Sequence, residues 1–172
     1  MTDQNEVTFD DSEIIVSKTD LKGKITYANH VFMKVSGYSE TELLGKPHNI
    51  IRHPDMPRAV FKLLWDRIQQ KKEVFAYVKN ACKDGRYYWV FAHVTPTLDL
   101  HGNIIGYHSS RRTPNRKVLP IIEDLYAGLR QIEQQATSPK KGMAAAGEHL
   151  ARVLAEKNMG YEEFIFSLDG VA

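Results

Sequence analysis

The sequence predicts an α+β fold: a five-stranded antiparallel sheet with short helices and one longer helix over one face, plus C-terminal helices. Three observations predict it. Two short β-branched runs open the chain, and three longer strand-like runs fill residues 74–112. Between them stand short capped helices and one longer segment whose apolar residues recur at helical spacing. After residue 112 the apolar pattern is helical throughout. Strands, then helices, then strands again argue for helices laid on a sheet rather than alternating βα units.

The elements follow in order. "EIIVSKTD" (13–20) is short and β-branched and reads as a strand. Gly23 supplies the turn into "ITYAN" (25–29), the second arm of a hairpin. Asn29 then suits the N-cap of a short helix that Gly37 can close in the left-handed conformation. Ser39 and Glu42 form a capping box for another short helix ending at Gly45. In "HNIIRHPDMPRAVFKLLW" (48–65), Asp55 or Met56 caps a helix with Pro57 in its first turn. Val60, Phe61, Leu63, Leu64, Trp65 and Ile68 make its apolar side.

Strands over 74–82, 86–99 and 103–112 come next, joined by "KDG" and "LHG", with Gly85 and Gly102 where the turns need a positive φ. In the central strand Tyr88, Val90, Ala92 and Val94 alternate with Tyr87, Trp89, Phe91 and His93, so both of its faces are largely apolar. "NRKVLPIIEDLYAGLRQIEQQA" is a helix that Pro120 breaks or bends near its start. "TSPKKG" reads as a linker, "MAAAGEHLARVLAEKN" as a second helix, and "GYEEFIFSLDG" as a last apolar piece. The organisation is a polar N-terminal segment (1–11), a sheet domain (12–112) and a helical extension (113–172).

Composition narrows the function. A net charge of +2 with no basic face gives no footing for nucleic acid or an anionic membrane surface. The single cysteine, Cys82, excludes an internal disulfide, a CxxC metal site and covalent CxxCH haem attachment. The first residues are polar and acidic, the reverse of a secretory signal, and no apolar run reaches the length of a membrane span. The expectation is a cytoplasmic protein without direct membrane insertion, connected to a membrane only through a partner. No nucleophile–base–orienter set, P-loop or GxGxxG is present, so no enzyme is expected.

The residues of 48–65 stay open between a helix cap and the wall of a ligand site. Arg52 has a planar fork for two charge-assisted bonds, or forms a surface salt bridge. Asp55 orients Arg52 or His53, or caps the helix. Asn80 is an amide in an apolar strand; it serves a ligand edge or bonds its own backbone. Phe61, Trp65, Trp89 and Phe91 either line an apolar slot or fill a core.

The stretches "TDLKGKITYAN", "SGYSETELLGKPH" and "KDGRYYWV", in this order of elements, resemble a PAS sensor domain over about residues 12–112. "PHNIIRHPDMP" with "VKN" and "YYWV" is similar to the aerotaxis-receptor type, whose members commonly hold FAD non-covalently and sense redox state or oxygen. The C-terminal "YEEFIFSL" looks like the stand-alone energy-taxis PAS proteins. The resemblance implies an FAD site that includes Arg52, His53, Asp55, Asn80 and Asn29, with Phe61, Trp65 and Trp89 as aromatic walls. Where such receptors often carry a Trp before VKN, this chain has Val74 and Phe75. It also implies a signalling partner, a membrane chemoreceptor-like protein, and a homodimer. Two alternatives stand beside FAD: haem b, held by His53, His93 or His108, and a PAS interaction module without a cofactor. The reactive-cysteine motif of the LOV branch is missing, so Cys82 reads as a strand residue.

Overall fold

A computed structural model describes residues 5–169. It divides into two compact units. One runs up to His53 and resumes over Arg67–Pro114; the other takes Pro54–Asp66 and the chain after Pro114.

The first unit is built on a five-stranded sheet. Its strands are β1 (Ile15–Thr19), β2 (Ile25–Ala28), β3 (Val74–Ala81), β4 (Tyr87–Leu98) and β5 (Ile104–Arg112). They lie in the order β2-β1-β5-β4-β3, with every neighbouring pair antiparallel. All five fall inside the expected ranges. Isolated bridges add to the pairing: Glu6 bridges Tyr87, Lys24 bridges Pro47, and Arg52 bridges Asn80 on the edge strand β3.

The register decides which side chains share a face, because side chains alternate along a strand and directly paired residues point the same way. Arg111 pairs with Ile15 and Ala92, Ser109 with Ser17 and Val94, and Asn80 with Tyr88. Ile15, Ser17, Arg111, Ala92, Tyr88 and Asn80 therefore share one face, called the inner face below. Phe75, Tyr77, Trp89, Phe91 and His93 share the other.

Two short helices in this unit follow their caps. In α1 (His30–Ser36), the Asn29 side chain accepts from the Phe32 amide, and Gly37 closes the helix at φ 77. Phe32, Val35 and Ser36 are its buried residues. In α2 (Glu40–Leu43), Ser39 and Glu42 form the full reciprocal capping box. This helix ends at Leu43, two residues before the expected Gly45, because Leu44 already turns to extended backbone. A single 3-10 turn, His48–Ile51, leads into Arg52.

Helix α3 (Arg58–Gln69) contributes its first nine residues to the second unit. The expected cap was Asp55 or Met56. At the helix start the carboxylate of Glu133 accepts from the amides of Arg58 (3.1 Å) and Ala59 (2.8 Å). Two donors left open at a helix start are thereby satisfied from a helix far along the chain.

The rest of this unit is α4 (Leu119–Gln135), α5 (Pro139–Glu156) and α6 (Tyr161–Asp169). Pro120 falls in the first turn of α4, where its missing N–H has no role, so the helix is not broken there. The linker expected over 137–142 is shorter than "TSPKKG". Ser138 accepts from the Lys141 amide and caps α5, which starts at Pro139. The lysines and Gly142 are already helical. Ile122, Leu129, Ala146 and Ile165 are fully buried and form the core of this unit.

Candidate functional site

The inner face of the sheet carries an unusual polar set. Ser17, Asn80 and Arg111 are buried to within a few per cent among Ile15, Val74, Ala76, Val90 and Ala92. A buried polar group normally finds a partner, since leaving one unmade is costly. Nε of Arg111 is buried without a hydrogen-bond partner; Nδ2 of Asn80 and the Tyr88 hydroxyl are buried beside each other without a well-formed bond.

Arg111 is the centre of the best-defined cluster. Its Nη2 donates to Ser17 Oγ at 2.6 Å, and its Nη1 reaches His48 Nε2 at 3.4 Å. Ser17 Oγ stands 3.0 Å from the same His48 Nε2. The guanidinium also lies 4.5 Å from the centre of the Phe32 ring, and His48 stacks beside Phe32 at 6.0 Å. Nε2 faces donors only, so the network assigns the His48 proton to Nδ1 and leaves the ring neutral. Burial, and then the charge of Arg111, push the His48 imidazole down to about 3. Burial also lowers Arg111 itself to about 10. It remains a cation at neutral pH.

The residues expected from the sequence fall in several places. Arg52 and Asn80 come together: they bridge through the backbone at the edge of the sheet. His53 meets the Tyr87 ring edge-on at 5.8 Å. Asn29 is committed to backbone. Its Oδ1 accepts from Val16 and Phe32 amides, each at 3.0 Å, and its Nδ2 donates to the Ile14 carbonyl at 2.8 Å. Trp89 is buried on the face opposite Asn80, beside Lys79 in the register. Phe75 is on that opposite face too, stacked on His93 at 4.2 Å and on Phe91 at 5.8 Å. Asp55, Phe61 and Trp65 belong to the second unit. There Asp55 pairs with Arg130, which with Glu133 lines a cleft of about 340 Å³. Trp65 is 37% exposed.

Two of the three histidines considered for haem, His93 and His108, sit away from the inner face. His93 bonds Glu73 at 2.6 Å, and His108 pairs with Lys18 and Thr95 in the outward phase of the sheet. Cys82 is buried, donates to the Val35 carbonyl, and is pushed by burial up to about 11, so its thiol is inert. Among the described residues, no three His, Cys, Asp or Glu side chains gather to hold a metal ion. Nor is any described helix long and apolar enough to cross a membrane.

Ser17, His48 and Arg111 are the residues that sequence reasoning missed. The available signal was phase: in "YHSSRR", Arg111 falls in step with Tyr107 and Ser109, and Tyr107 is buried.

The PAS fold family matches residues 25–111, from β2 to the cluster arginine. The chain belongs to the PAS family. The aerotaxis receptor of Escherichia coli K12 is 41% identical over 129 residues, 75% of this chain and 25% of the receptor. The nitrogen fixation regulatory protein of Klebsiella pneumoniae is 29% identical over 59% of this chain and 20% of its own length. This PAS chain thus spans a quarter or less of these curated relatives. Among solved structures, the dark structure of the blue-light photoreceptor Aureochrome1 LOV superposes with a TM-score of 0.55 at 25% identity. That match covers 69% of this chain and 86% of the LOV chain.

Proposed function

We propose that the chain is a cytoplasmic energy-taxis sensor of redox state or oxygen. In this reading residues 12–112 hold FAD non-covalently, and a homodimer signals to a separate membrane chemoreceptor-like protein. The observation that carries it is the buried amide of Asn80, which makes no well-formed hydrogen bond and has only the neutral Tyr88 hydroxyl beside it on the inner face. The 41% identity to a protein named aerotaxis receptor supports the taxis context.

A ligand for this face needs an apolar flat body and a polar edge, which is how a flavin ring is built. Asn80 suits the edge because an amide can donate or accept. Arg52, bridged to Asn80 and itself exposed, suits the phosphates. A bound flavin supplies reversible electron transfer coupled to protonation at N5. Asn80 then answers by presenting Oδ1 in place of Nδ2, and the edge strand β3 carries the change. The ring ladder of Tyr77, Phe91, Phe75 and His93 on the other face of β3 and β4 is the natural reporter of such a shift. Redox state moves the partner's equilibrium only if the two sheet conformers bind that partner differently.

The visible spectrum of the purified protein tests this. Flavin bands near roughly 375 and 450 nm, with FAD released on heating, are expected. A strong Soret band would instead show haem, and a colourless protein that binds its receptor would show an interaction module. Arg52→Ala, His53→Ala and Asn80→Ala are expected to lower FAD retention while the far-UV circular dichroism stays native. Full occupancy in all three sinks the pocket.

A further inference from the structure

Arg111 carries a charge that no described residue balances. It is 2% exposed, and among the described residues no carboxylate pairs with it. Its three neighbours are a hydroxyl, a neutral imidazole and the Phe32 ring, and Nε has no partner. Tyr88 and Tyr107, the tyrosines on this face, are held protonated, because burial pushes both phenols up. A buried cation with only neutral partners is normally excluded from a core. It becomes favourable once an anionic or strongly polar ligand edge completes its shell.

Arg111 is also placed to act at a distance from Asn80. Two strand spacings and four residues along the sheet put their Cα atoms about 16 Å apart, beyond mutual reach. The Arg111 donor and the weakly met Asn80 amide would therefore be satisfied separately, as two ends of one extended ligand would meet them.

We propose that Arg111, braced by Ser17 and His48, is the fixed positive charge of the ligand face and raises the reduction potential of the flavin held there. This rests on the flavin reading above. Two electrons from an external donor and one proton from solvent convert the neutral ring to a form with one net negative charge. The proton goes to N5, and the charge stays on the N1–C2 carbonyl edge. A guanidinium in a site of low dielectric favours that form over the neutral one. Ser17 and His48 fix the fork without neutralising it, which is what distinguishes them from a carboxylate.

Dithionite titration of the flavin-loaded protein against reference dyes reads the potential. R111Q is expected to shift the reduced-to-oxidised ratio at least about tenfold toward oxidised, about 30 mV more negative for a two-electron couple. R111K, which keeps the charge, is expected to stay near the wild-type value. The wild-type potential should fall by about 30 mV per pH unit between pH 6 and 8, as one proton per two electrons requires. A wild-type potential in R111Q, or a pH slope twice as steep, overturns the assignment to Arg111 and leaves the flavin reading intact. A wild-type protein without flavin bands overturns both. If R111Q loses its flavin during purification, the wild-type pH slope and R111K decide.

Discussion

Gly142 gives the sharpest test of how the second unit packs. Gly→Ala inside an exposed helix normally stabilises by about 1 kcal/mol. At Gly142 the sign should reverse. A Cβ there would lie 2.6 Å from the Glu133 carbonyl oxygen, 2.9 Å from its Cα and 3.1 Å from its carbonyl carbon. All three are backbone atoms and cannot swing aside, so α5 must back away from α4. Overpacking of this kind costs about 1–3 kcal/mol. Glu133 is also the residue whose carboxylate holds the Arg58 and Ala59 amides. Displacing it weakens that cap, worth about 1 kcal/mol. Set against the propensity gain, the net is a loss of about 2 kcal/mol. Gly147 is the control: it lies in the same helix, and a Cβ there meets nothing within 4 Å. G147A should therefore stabilise by about 1 kcal/mol. Urea unfolding followed by far-UV circular dichroism compares the two midpoints. If G142A moves the midpoint upward as G147A does, the α4–α5 contact described above is wrong.

Two further outcomes are expected. N29A removes two accepted bonds and one donated bond that join β1 to the start of α1, and should cost about 2–3 kcal/mol in urea unfolding, more than an ordinary lost cap. His48 has a folded-state pKa of about 3, below its usual value near 6.5, so the unfolded chain binds the extra proton first. Its contribution to stability is full above about pH 6.5 and declines as pH falls toward 3; H48N should flatten that part of the stability–pH curve, and an unchanged slope in H48N would sink the assignment.

Much of the fold could be read without coordinates because its signals are local. A capping box at Ser39 and Glu42 needs only four residues, and the alternation in β4 needs only its own strand. The errors arise where a distant residue decides. Nothing near Arg58 shows that its amide is taken by a carboxylate 75 residues on. Lys140 and Lys141 read as linker because their charge hides a helix that Ser138 starts. The site was harder than the fold for the same reason. Trp89 and Asn80 each look like pocket residues alone, yet the register pairs Asn80 with Tyr88 and so sends Trp89 to the other face. Register is set by turn geometry and packing across the whole sheet. Arg111 gives no local signal, because an Arg–Arg pair at a strand end has the composition of a solvated surface. Only the pairing with Ile15 and Ala92 turns its side chain into the apolar interior.

The division of the chain also bears on how such a protein can evolve. The seam falls between His53 and Pro54, inside the RHPD run, so the second unit borrows thirteen residues from the middle of the first. Genetic recombination that grafts a new C-terminal output onto a sensor usually needs one crossover point. Here a crossover after Pro114 would discard Arg130 and Glu133 while keeping Asp55 and the start of α3, which depend on them. The helical part is therefore inherited as a partner of the RHPD run, and changes on either side of it must be selected together.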